Sequence, residues 1–146
     1  MNQKQQDFYQ KIRNRINEWI RTKSDRENRW SEYILLAPDL FHLLCKLMID
    51  PEVPSSKKMK VAALIAYFIS PVDFIPEGLI GPLGYLDDIA LTAYLLNDLI
   101  NEVNPQVVRR HWAGDKDVLI LVKTILLNAD KMLGNGLWKK IREKFF

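Results

Sequence analysis

Between Lys60 and Asp87 the chain runs for 26 residues whose only charges are Asp73 and Glu77. Six of these residues are helix breakers: Pro71, Pro76, Pro82, Gly78, Gly81 and Gly84. A bilayer-spanning helix takes about 20 apolar residues, so length alone would permit a crossing. Each acid, however, would cost roughly 2.5–3.5 kcal/mol at the bilayer centre, and the prolines and glycines interrupt any continuous helix. The stretch is better read as the turn of a helical hairpin. One helix ends at Pro71, a second starts near Tyr85, and a Pro/Gly-rich connector lies between them. The other apolar run, 118–127, is interrupted by Lys123 and is too short to span. A soluble or peripheral protein is the expectation.

The remaining segments show helical rather than alternating periodicity. A first helix over about residues 3–23 puts Phe8, Ile12, Ile16, Trp19 and Ile20 on one face and Lys4, Lys11, Arg13, Arg15, Arg21 and Lys23 on the other. "SDRE" at 24–27 reads as a capping box. The helix it opens carries Trp30, Tyr33, Ile34 and Ala37 until Pro38 kinks or restarts it. Leu40, Leu43, Leu44, Leu47 and Met48 continue a buried face to the turn "DPEVP". Ser55 or Ser56 can then cap "KKMKVAALIAYFI", whose second half is apolar nearly all round and so reads as the centre of the bundle. After the connector, a helix over about 85–103 turns Leu86, Ile89, Ala90, Ala93, Tyr94 and Leu96 inward. Asn104 before Pro105 makes a cap for a short helix closed by Gly114, and Asp115 caps the next. A last helix, "LWKKIREKFF", sets Leu137, Trp138, Ile141 and Phe145 against Lys139, Lys140, Arg142 and Lys144. The fold class is all-α: a compact bundle of six or seven helices around a central helical hairpin, in one domain over residues 1–146.

With 146 residues, 48% hydrophobic and 27% charged, the chain is long enough to bury a real core. A net charge of +3 does not demand nucleic-acid binding, and aromatics do not alternate with basic residues as stacking platforms would. No nucleic-acid partner is expected. The single cysteine, Cys45, excludes an internal disulfide, and "MNQKQQDFYQ" lacks the apolar core of a signal peptide. Both point to the cytoplasm.

The stretch "ISPVDFIPEGLIGPLGYLDDIA", preceded by "DPEVPSSKKMKVAALIAYF", resembles the YkvA-like family, small bacterial helical proteins of uncharacterised function. The residues that carry the resemblance are Asp50, Pro51, Val53 and Pro54, then Ser70, Pro71, Asp73, Ile75 and Pro76, then the run from Leu83 to Asp88. They define a core of about 50–101. Glu77 stands where the family usually has aspartate, and the connector is one residue longer. The resemblance implies no known reaction, and some relatives are expected at membranes.

Asp73, Glu77, Asp87 and Asp88 raise a physical question, because buried carboxylates are costly unless paired, capped or metal-bound. As a metal site they would suit Mg²⁺, Mn²⁺ or Ca²⁺, which take oxygen ligands from helix ends that face a common gap. Adjacent helical positions diverge by about 100°, so one of Asp87 and Asp88 would ligate directly. The other would support it or pair with Arg109, Arg110 or His111. As structural groups, the same acids cap helices and meet the positive end of the helix dipole.

Weaker signals complete the inventory. His42 and Cys45, three apart, make only two ligands of a zinc site. "RRHW" at 109–112 could hold an anion or anchor a helix by Trp112. No phosphate loop and no G-x-S-x-G nucleophile motif occurs, and no catalytic residue or organic cofactor is assigned. Trp19 and Trp138 lie on basic amphipathic helices, as in interfacial anchors. The leading expectation is a non-enzymatic interaction or scaffold protein with a protein partner. The alternatives are a metal-dependent hydrolase built on the four acids and a peripheral protein on the inner face of the membrane.

Overall fold

The computed structural model describes residues 1–22, 31–69, 86–133, 138, 139, 142 and 143. These residues form an all-α bundle: α1 (Gln3–Thr22), α2 (Ser31–Ile34), α3 (Ala37–Met48), α4 (Ser55–Ile69), α5 (Leu86–Glu102), α6 (Pro105–Arg109) and α7 (Val118–Leu133). The "SDRE" box and the connector lie outside the described residues. Proline placement explains two of the boundaries. Leu36 closes α2 by donating its N–H to the Tyr33 carbonyl, and Pro38 then sits in the first turn of α3, where its missing N–H is harmless. Pro38 therefore restarts the helix.

Asn104 caps α6 as expected, its side chain accepting the Gln106 N–H at 2.9 Å. The cap of α7 is Asp117 instead of the expected Asp115, with Asp117 Oδ1 accepting the Leu119 N–H at 2.9 Å. The reason lies upstream: Trp112 Nε1 donates to the Lys116 carbonyl at 2.8 Å and holds 112–116 in a loop. From Asp117 onward the helical spacing is regular, and Val118, Val122, Ile125, Ala129 and Leu133 are buried.

The hairpin of α4 and α5 is antiparallel, fixed by pairings at its two ends. Tyr67 near the end of α4 meets Asp87 at the start of α5, at 2.7 Å. Lys57 at the start of α4 meets Glu102 at the end of α5, at 3.1 Å, with Asp98 at 4.0 Å. The centre of the bundle is α5, not α4. Every residue of α5 from Leu86 to Ala93 is buried, whereas Ala62, Ala63 and Ala66 of α4 are exposed. Alanines made α4 look apolar all round, but their small side chains contribute little burial energy. The leucines and Ile89 of α5 claim the interior, and the helix packs on α7 most extensively and also on α2, α3, α4 and α6.

The apolar face of α1 closes the bundle over α3. Ile12 and Ile16 are buried, and Phe8 joins Phe41 and Phe68 in an aromatic cluster with ring centroids 4.8 Å and 6.4 Å from it. At the far end of the chain Trp138, 4% exposed, stands edge-on to Tyr94 of α5 at 5.9 Å. Arg142 lies over both rings. Trp138 is thus part of the core, which removes it as a lipid anchor. The side chain of Trp19 lies outside the described residues. No described helix is long and apolar enough to cross a membrane. Replacing Ile12 with alanine is expected to lower stability by ~2–5 kcal/mol in urea titrations, as for any fully buried aliphatic side chain. An unchanged midpoint would mean that α1 is not packed on the bundle in solution.

Candidate functional site

The first turn of α5 sets Asp87 and Asp88 side by side, both with zero exposure. First-turn acids are favoured by the helix dipole, but they usually sit in water. Here they are inside. The Tyr67 hydroxyl donates to Asp87 Oδ2 at 2.7 Å, and the Asp88 N–H donates to Asp87 Oδ1 at 2.9 Å. One turn on, the Thr92 hydroxyl donates to the Asp88 carbonyl at 2.7 Å. Asp73 and Glu77 lie outside the described residues. Among the described residues no group of three or more His, Cys, Asp or Glu is placed to hold a metal ion.

The expected pairing of Arg109, Arg110 or His111 with Asp87 or Asp88 does not occur. Arg110 and His111 both bind Asp50, and Arg109 is exposed. The cause is topological. The short helix α6 follows the far end of α5, and the helix from Asp87 to Glu102 puts about 22 Å between that end and Asp87.

The Asp50 cluster was not legible as a site. Its carboxylate, 4% exposed, takes Arg110 Nε on Oδ2 at 3.1 Å, and Arg110 Nη2 on Oδ1 and Oδ2 at 3.0 Å and 2.8 Å. His111 Nε2 lies 2.7 Å from Oδ2, and the Glu52 N–H donates to Oδ1 at 2.8 Å. Glu52 also accepts from Arg110 Nη2 at 3.0 Å. Burial by itself would push the Asp50 carboxyl up. The Glu52 backbone N–H, Arg110 and His111 outweigh it and hold the group at about 2, below the usual 3.8. The "RRHW" segment thus binds an anion, but that anion is the protein's own Asp50. The available signal was the turn "DPEVP", because an aspartate before proline commonly accepts the N–H two residues on.

The other candidate pair does not form a ligand set. Cys45 is a core residue whose thiol burial pushes up to about 11, so it stays neutral. His42 is partly buried against the Tyr9 ring at 5.8 Å. Burial, then Lys46, shifts its imidazole down.

Comparison with known proteins places the hairpin in a wider context. A family model described as "Protein of unknown function (DUF1232)" matches residues 57–94. That span takes in nearly all of α4 and the first half of α5, with Tyr67, Asp87 and Asp88. "Uncharacterized protein ORF9" of Methanothermobacter thermautotrophicus is 25% identical over 111 residues, which cover 76% of each chain. The zebrafish (Danio rerio) "E3 ubiquitin-protein ligase RNF170" is 43% identical over 54 residues, 37% of this chain and 20% of that protein. No solved structure matches the chain significantly.

Two measurements test these contacts. Tyr67→Phe removes a hydrogen bond to a buried carboxyl group and is expected to lower stability by ~1–3 kcal/mol. An unaltered urea midpoint would mean that the hydroxyl does not hold Asp87. For Asp50 the folded-state pKa is depressed, so its contribution is present above pH 3.8 and fades as pH falls through about 2. A shift of this size corresponds to ~2.5 kcal/mol, which solvent at the half-exposed Arg110 reduces to ~1–2 kcal/mol. Asp50→Asn should therefore be less stable than wild type at neutral pH, and the gap should narrow by that amount between pH 5 and pH 2.

Proposed function

We propose that this chain is a single helical domain of YkvA-like kind that acts in the cytoplasm as a non-enzymatic interaction or scaffold module. What carries the reading is the use made of the motif acids inside the described residues. Asp87 is engaged by Tyr67 across the hairpin, and Asp50 is engaged by Arg110, His111 and the Glu52 N–H across the base of the bundle. Acids committed to holding helices together suit a rigid module that presents surfaces. The neutral, buried Cys45 adds support, since a thiol in that state is a poor nucleophile.

A second reading, a divalent-cation-dependent hydrolase, is favoured by one observation. Asp87 and Asp88 are adjacent and wholly buried at a helix start, and two neighbouring carboxyl groups are hard oxygen donors of the kind a divalent cation takes. Asp73 and Glu77 would be its further ligands, and the ion would activate water.

Thermal unfolding decides between the two. Chelator-treated protein is compared with protein in Mg²⁺, Mn²⁺, Ca²⁺ or Zn²⁺, and the same panel is run on Asp88→Asn. The module reading expects no cation-dependent shift, together with earlier unfolding of the variant. A cation at 100 times its dissociation constant would add about 2.7 kcal/mol, a rise of roughly 5–10 °C for a chain of this size. Such a rise, abolished in the variant and accompanied by phosphoester turnover, would replace the module by the enzyme.

A further inference from the structure

A groove of about 310 Å³ runs between the α2–α3 corner and the loop before α7. Its apolar lining is Leu35, Leu36, Trp112 and Leu121. Leu35 is 45% exposed, a large aliphatic side chain left in water at a bend. Glu32, Asp39 and Asp115 also line it, and Asp39 and Asp115 are close enough to interact. Among the described residues that line it, three carboxylates stand against one ammonium, Lys116, in a chain whose net charge is +3.

Trp112 is held in this groove by two independent constraints. Its Nε1 donates to the Lys116 carbonyl at 2.8 Å, so the ring's one polar atom is satisfied. The ring also lies so close to Gly114 that a Cβ at that position would stand 2.4 Å from it, which only glycine allows. A fixed, partly exposed indole beside carboxylates attracts cationic side chains through its face, while the aliphatic lining takes an apolar anchor. Burial is the main cost of ionising Asp39; His42 and Arg13 offset part of it, and the like charge of Asp115 adds a smaller repulsion. A cation seated beside Asp39 and Asp115 would favour the ionised form of both.

We infer that this groove is a docking site for a basic amphipathic segment of a partner protein, one that presents Lys or Arg beside a large apolar side chain. The inference rests on the module reading and names its surface. Charge complementarity selects the occupant. A phosphate backbone or an anionic lipid would be repelled by the acids, and an uncharged helix would leave the carboxylates uncompensated. The chain as a whole is cationic, so a basic peptide that binds must do so through local complementarity rather than net attraction.

The test uses the full chain and a fluorescein-labelled, end-blocked helical peptide with leucines four apart flanked by Lys and Arg. A second peptide replaces every Lys and Arg by Glu. Anisotropy titrations at low salt are expected to show micromolar binding of the basic peptide alone. Affinity should fall tenfold or more in Asp39→Asn/Asp115→Asn and stay within twofold in Asp7→Asn/Asp130→Asn, which changes charge equally outside the groove. Matching melting curves establish that the variants fold. If the first pair melts early, Glu32→Gln/Asp115→Asn takes its place. No binding, equal binding of the acidic peptide, or equal loss in both variant pairs would overturn the inference. So would self-association that the groove variant abolishes in sedimentation, since the occupant would then be a second copy. The module reading fails separately, through cation-dependent turnover.

Discussion

The hydrogen bond between Tyr67 and the fully buried Asp87 is the contact on which the arrangement of the bundle turns. A carboxyl group removed from water is penalised unless its oxygens are met by well-placed partners. That penalty makes the position selective. Only a register that brings the end of α4 to the start of α5 supplies the phenol, and the same register brings Lys57 to Glu102 at the opposite end. One polar contact inside and one at the rim therefore fix the direction and stagger of the hairpin, where apolar packing alone would tolerate sliding.

With the hairpin fixed, α5 becomes the axis around which the other helices are arranged. Its first half is buried on every side, so each neighbour must offer an apolar stripe, and the sequences of α3 and α7 do so at helical spacing. A second polar tie closes the other end. Asp50 sits in the turn between α3 and α4 and binds the fork of Arg110 just after α6, which locks the turn to the exit of α5. Bidentate Arg–carboxylate pairs carry direction as well as energy, so this tie sets orientation and not merely proximity. Its acid lies 60 residues from its base in sequence, a closure that becomes favourable only once the intervening hairpin exists.

This division of labour bears on function. Acids that face inward at Asp50 and Asp87 hold the scaffold together, while acids that face outward at Glu32 and Asp115 mark a groove with an apolar lining. The basic face of α1, with Lys4, Lys11 and Arg13 exposed, lies on a different helix. In the role proposed above, an acidic groove and a basic helix face would discriminate partners by sign before contact is made.

Periodicity was enough to determine the all-α class, the extent of α1, the restart at Pro38, the Asn104 cap and the presence of a hairpin. Each of these depends on residues within one or two turns of each other, so local chemistry decides them. Tertiary structure alone decided which helix is central, because the alanines of α4 and the leucines of α5 look equally apolar until area and neighbours are counted. It also decided the cap at Asp117, since the competing loop is held by Trp112 through a contact to Lys116. The partners of the acids were the least legible. Asp87 finds a tyrosine 20 residues upstream, and Asp50 finds an arginine and a histidine 60 and 61 residues downstream. The sequence shows that buried charges need compensation; which group supplies it is set by where the helix ends meet in space.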